Sequence, residues 1–153
     1  MAQKSKKQHI AAASLPLFLE NGFKGTSIDL VVKASGVSKP TVYNHFPDKA
    51  ALILATLGNW IEINKPLIAP VHDKAAFDEF ANREWLGGDT ARIYALVIGE
   101  GFRFPEARRL FWSQFDQRWR QALTYLASQV EGLDAATAEA RLDHLLMARL
   151  RHA

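Results

Sequence analysis

Residues 36–49 read GVSKPTVYNHFPDK. Gly36 accepts the left-handed backbone that closes one helix. Ser38 can cap the next, with Pro40 in its first turn, where amides have no intrahelical partner. Pro47 ends it after barely two turns. At about 100° per residue, Val42 and Phe46 fall about 40° apart, while Pro40, Asn44 and Thr41 lie between about 160° and 260°. Two apolar anchors therefore face inward and a short polar surface faces out. Such a surface suits the wall of a nucleic-acid groove better than a protein core.

Upstream, Thr26-Ser27 cap a helix whose Ile28, Val31 and Val32 share one face. Ser35-Gly36-Val37 join it to the helix spanning residues 38–46. Two short helices so joined are a helix-turn-helix candidate, in which the second enters the major groove and the first crosses the backbone. Before them, Ile10, Ala13, Leu17 and Phe18 form an apolar stripe that Asn21-Gly22 ends, and Pro16 predicts a bend within it. Asp48 caps a fourth helix, carrying Leu52, Ala55, Ile61 and Ile63 towards Lys65-Pro66.

The rest of the chain is also helical in pattern. Residues 66–72 read as a linker, 73–85 as a short amphipathic helix, and Gly87-Gly88-Asp89 as a turn before a helix from Thr90 to about Gly99. Pro105 opens the longest helix. Its stripe of Phe111, Phe115, Trp119, Ala122, Leu126 and Val130 holds the helical period for about seven turns, and Gly132 closes it. Asp134 caps a last helix. Alternating strand patterns are absent, so the expected fold is all-α. Residues 1–50 are expected to form a helix-turn-helix DNA-binding domain, and 51–153 a second helical domain.

The polar surface carries a usable chemistry. Asn44 can pair with an adenine edge, Lys39 can donate to guanine, and Thr41 can offer a methyl to thymine. Tyr43 and His45 can donate to phosphates, which position a protein without reading sequence. Amides at the helix starts near Thr26-Ser27, Ser38 and Asp48-Lys49 can grip phosphates as well. Lys4, Lys6 and Lys7 can follow the backbone or enter the minor groove as an arm.

Charge is distributed accordingly. The first 50 residues hold seven lysines against Glu20, Asp29 and Asp48, a net of +4. The remainder holds twelve basic and thirteen acidic residues, a net of −1, and contains all ten arginines. A basic head on a near-neutral body is the asymmetry expected when one end meets a polyanion.

Other chemistries find little support. There is no cysteine, which excludes disulfides, thiolate zinc sites and cysteine nucleophiles. The five histidines show no metal-ligand spacing, and no nucleophile elbow, phosphate loop or dinucleotide fingerprint occurs. No enzyme, metal or cofactor is expected. The basic N-terminus lacks the apolar stretch of a secretory signal, so a cytoplasmic location is expected.

The stretch NGFKGTSIDLVVKASGVSKPTVYNHFPDKAALILATL, residues 21–57, closely resembles the DNA-binding head of the TetR family of bacterial transcriptional regulators. The matching residues are Gly22-Phe23, Thr26-Ser27, Gly36-Val37-Ser38-Lys39, Thr41, Tyr43, His45-Phe46-Pro47 and Lys49. The resemblance implies that Thr26, Lys39, Pro40, Thr41, Tyr43, Asn44, His45 and Lys49 face DNA, and that a homodimer binds a palindromic operator. A weaker match, VIGEGFRFPEARRLFWSQF at 97–115, resembles the start of the long seventh helix of many members. Members usually run longer, with two final helices forming much of the dimer interface, so the resemblance implies that 51–153 form a shortened helical effector-binding and dimerisation domain ending in LDHLLMARLRHA.

The resemblance also implies an effector pocket in the C-terminal helices. Trp60, Phe80, Trp85, Tyr94, Phe102, Phe115 and Trp119 are its expected linings, since such pockets combine aromatic walls with a few polar groups. The alternative for each is an ordinary place in the core. The function expected from the sequence is therefore a repressor released by a small apolar effector. The alternative is a regulator remnant that acts as a helical protein-interaction module with little specific DNA binding.

Overall fold

The computed structural model describes residues 5–153, and every regular element in them is helical. In chain order the helices are α1 (Lys6–Gly25), α2 (Ile28–Ser35), α3 (Lys39–His45), α4 (Lys49–Ile63) and α5 (Lys74–Phe80). They continue with α6 (Thr90–Glu100), α7 (Pro105–Phe111), α8 (Gln117–Ala127) and α9 (Ala135–Leu150). Two compact units share these elements: residues up to 64 with 96–111, and residues 65–95 with 112–153. The expected division between residues 50 and 51 lies inside the first unit.

In the first unit, α1 begins with a capping box. Ser5 Oγ accepts the Gln8 amide (3.1 Å), and Gln8 Oε1 accepts the Ser5 amide (3.2 Å), so two donors without helical partners are satisfied reciprocally. The backbone keeps helical angles through Pro16 and departs from them only at Gly22, where φ is 79°. Pro16 lies on the exposed side, where the carbonyl it leaves unpaired can meet water. The break thus falls at the glycine, not at the proline. Phe18, Phe23, Val31, Val42, Phe46 and Leu52 are each at most 1% exposed and form the centre of this unit. Phe23 meets Phe18 edge-on at 5.4 Å and Phe104 at 5.6 Å, a geometry aromatic pairs favour.

In the second unit, α5 continues into a π-helical turn, Ala81–Trp85, and Arg141 holds Asp78 with two parallel hydrogen bonds. The long helix expected from Pro105 to Gly132 has a different course. α7 and α8 are separated by a second π-helical turn, Trp112–Asp116, and α8 stops at Ala127. Shorter i→i+3 turns follow, with the Val130 amide on the Ala127 carbonyl and the Leu133 amide on that of Val130. Val130 and Leu133 are both buried in these turns. α9 begins as expected, with Asp134 Oδ1 accepting the Thr137 amide at 2.7 Å. That bond holds the Asp134 carboxyl below its usual range.

Candidate nucleic-acid interface

The helix-turn-helix is built by local caps. Ser27 accepts the Leu30 amide at 3.2 Å to start α2. Gly36 ends it in the left-handed region, at φ 71°, and donates its amide to the Val32 carbonyl. Ser35 is buried, and its hydroxyl accepts the Val37 amide at 3.2 Å. Its carbonyl accepts Nε2–H of His9 at 2.7 Å, which ties α1 to the turn. Ser38 then caps α3, its hydroxyl lying 2.7 Å from that of Thr41.

On α3, Val42 and Phe46 are buried, while Lys39, Pro40, Tyr43 and Asn44 are exposed. Thr41 and His45 are half-buried at the margins, and Ser27 and Ser38 are exposed at the helix starts. Lys39 reaches Asp29 at the start of α2, Nζ to Oδ1 2.9 Å. Its hydrogen bond to that carboxylate raises the lysine's pKa, so Lys39 stays a cation, though an exposed pair of this kind adds little stability.

Thr26 and Lys49 have a second occupation. At Gly22 the backbone leaves helical angles, at φ 79° and ψ 171°, and side chains engage the groups around it. Thr26 is buried, and its hydroxyl donates to the carbonyls of Gly22 (2.7 Å) and Leu17 (3.1 Å). The Lys49 ammonium donates to the carbonyls of Phe23 (3.1 Å) and Lys24 (3.2 Å). The amides of the same two residues donate to Glu100, at 3.1 Å and 2.8 Å. Three side chains thereby complete the corner between α1 and α2. Glu100 and His9 were not among the expected site residues. The only hint of Glu100 is an acid set between two glycines, Gly99 and Gly101, at a helix end.

Of the expected arm, Lys4 lies outside the described residues. Lys6 and Lys7 stand in the first turn of α1, and the Lys7 ammonium lies 5.6 Å from the centre of the Phe46 ring. Ser5 explains this placement, since its capping box starts the helix ahead of both lysines.

The seven aromatics expected to line a pocket divide differently. Phe102 is 65% exposed, whereas Trp60, Phe80, Trp85, Tyr94, Phe115 and Trp119 are buried. In the second unit Tyr94 meets Trp85, Trp112 and Phe115 at 5.8–6.1 Å. A polar line runs through this packing. Trp85 Nε1–H donates to the Tyr94 hydroxyl (3.1 Å), which donates to Asp116 Oδ1 (2.7 Å). Asp116 also accepts from Arg120 Nε (3.1 Å), and Arg120 reaches Glu139 and Asp143. Among the described residues, no buried side-chain nitrogen or oxygen lacks a hydrogen-bond partner. Among the described residues, open clefts of about 420–460 Å³ are lined by other residues, and Phe80 borders a smaller one of about 200 Å³.

Burial, reinforced by Asp116, pushes the Tyr94 hydroxyl far above the usual tyrosine range. In the unfolded chain it ionises near pH 10, so its contribution to stability is complete below that pH and lost as pH rises further. Above about pH 10 the unfolding free energy should fall by up to about 1.4 kcal/mol per pH unit from this group. Urea unfolding between about pH 9 and 11 should show this slope in the wild type and a shallower one in Tyr94→Phe.

The fold and this arrangement define a helix-turn-helix head of the kind carried by transcriptional regulators. Residues 10–56 match the family of bacterial regulatory proteins called the tetR family, and that part of the chain is a tetR-family domain. The chain is 36% identical over 110 residues to the HTH-type transcriptional regulator RutR of Escherichia coli, a match covering 72% of this chain and 48% of RutR. It thus spans about half the length of that relative. It is 26% identical over 146 residues to an uncharacterized HTH-type transcriptional regulator, Mb1581, of Mycobacterium bovis, covering 92% of this chain and 70% of that protein. Among solved structures, GusR of Salmonella enterica shares the fold, with a TM-score of 0.66 at 23% identity over 95% of this chain and 80% of GusR. No helix among the described residues is long and apolar enough to cross a membrane, and no cluster of three potential metal ligands occurs among them.

Proposed function

We propose that this chain is a DNA-binding repressor that occupies a palindromic operator as a homodimer, with residues 38–46 in the major groove. The observation that carries this reading is α3 itself. Its exposed face presents Lys39, Pro40, Tyr43 and Asn44, and its opposite side is fastened by Val42 and Phe46. Asn44 and Lys39 read bases, with Thr41 beside them. Tyr43, His45, Ser27, Ser38 and the lysines Lys6 and Lys7 address phosphates. Thr26 and Lys49 act mainly by holding the corner that presents α2 and α3. In the same reading a small, largely apolar effector enters among the second unit's aromatics and favours a form with poor operator affinity.

The test is binding of the full chain to DNA upstream of its own gene, with oligomeric state measured by sedimentation in the same buffer. A dimer with a specific site supports the proposal. A strict monomer without specific binding would favour a helical protein-interaction module, for which Phe102 and Leu67, 65% and 82% exposed, are available.

Asn44→Ala should reduce discrimination at one base position by about 1–3 kcal/mol while leaving binding to random DNA nearly unchanged. A panel of single-base operator variants measures this directly. Uniform weakening across the panel would show that Asn44 touches no base.

A further inference from the structure

We propose that Glu100 is a positioning residue for the DNA-reading helices, a latch whose carboxylate sets the corner from which α2 and α3 project. This inference rests on the DNA-binding reading above. Its basis is the two-sided grip on one short piece of backbone. Glu100 Oε2 accepts the Phe23 amide at 3.1 Å and Oε1 the Lys24 amide at 2.8 Å. Lys49 Nζ takes the carbonyls of the same two residues from the other side. Both amides follow directly on the non-helical backbone at Gly22 and find acceptors in the side chain of Glu100.

Gly22 fits this assignment. At φ 79° it suits glycine, and a Cβ there would collide with Glu100 Oε2. The carboxylate therefore occupies the space that any other residue's side chain would need. From the corner the chain runs through buried Thr26 straight into the Ser27 cap of α2, so a shift of residues 23–24 moves the start of that helix. Residues 96–100 of α6 cluster with the first unit, which puts the latch in the same compact unit as the corner it holds.

The charge of Glu100 makes the inference testable by sign. Removing an acid from a DNA-binding unit should, on charge alone, tighten binding to a polyanion. The latch demands the opposite. If the corner is closed in about one molecule in ten without the carboxylate, apparent operator affinity falls about tenfold.

The experiment compares full-length wild type with Glu100→Ala, Glu100→Gln and, as a charge control outside the corner, Glu106→Ala. Operator affinity and backbone amide exchange of residues 23–46 are both measured. The expected results are about tenfold weaker binding for Glu100→Ala, an intermediate value for Glu100→Gln, which keeps one acceptor oxygen, and unchanged or tighter binding for Glu106→Ala. Exchange across 23–46 should accelerate in Glu100→Ala. Operator affinity equal to or above wild type in Glu100→Ala overturns the proposal. Should the wild type bind no specific DNA, the DNA-binding reading falls, and exchange alone then decides the latch: faster exchange upholds it and unchanged exchange removes it.

Discussion

Raising salt from about 50 to 200 mM is expected to weaken operator binding on the order of 10³-fold, assuming about six phosphate contacts from a pair of heads. Each lysine that neutralises a phosphate releases condensed counterions, so log affinity should fall linearly with log salt. The head supplies this response with lysines only, because all ten arginines lie beyond residue 50. Two of its lysines are already engaged, Lys39 with Asp29 and Lys49 with the corner carbonyls. Asp48, the cap of α4, adds a like charge beside any phosphate at that helix start. The slope should therefore be smaller than a count of cationic residues suggests. Titrations at four or more salt concentrations measure it, and a flat response would contradict the assignment of the basic head to DNA.

The second large effect concerns the second unit. Asp116→Ala should destabilise the chain by about 2–3 kcal/mol, below the roughly 3–5 kcal/mol of a fully buried broken pair. Its carboxylate receives both the Tyr94 hydroxyl and Arg120, and the side chains of the charged pair are only 13% and 18% exposed. The discount reflects Glu139 and Asp143, which still hold Arg120 after the substitution. For a chain of this size the loss corresponds to a melting temperature lower by about 5–10 °C. Asp116→Asn keeps an acceptor and should lose about half as much. Trp85, Trp112 and Trp119 lie in the second unit and only Trp60 in the first, so tryptophan fluorescence reports mainly on the unit that changes. A melting temperature equal to wild type would mean that the polar line contributes nothing net.

What was legible in the sequence was local. Gly36, Ser38, Pro40, Pro47 and Asp48 punctuate the backbone within a few residues of where they stand. The boundaries of α2, α3 and α4 and the burial of Val42 and Phe46 accordingly follow from short-range rules. Thr26 and Lys49 were harder for a chemical reason: a donor suited to a phosphate is equally suited to a backbone carbonyl, and residue type does not distinguish them. Asp116 could not be found from periodicity. It follows Phe115 in an apolar stripe, and its burial depends on a π-helical turn, whose wider winding changes which residues face inward. Glu100 was beyond reach because its partners are 76 and 77 residues away. The six buried aromatics show the remaining ambiguity, since a core stripe and a pocket wall share one spacing.

The corner between α1 and α2 imposes an order in time. A ribosome adding about 5–20 residues per second delivers Glu100 on the order of 4–15 s after Phe23 and Lys24. During that interval the three-helix head has all its own caps but two amides without their acceptor. The nascent head is thus complete in sequence long before it is complete in hydrogen bonding. A fragment ending at residue 64 would remain in that unfinished state permanently.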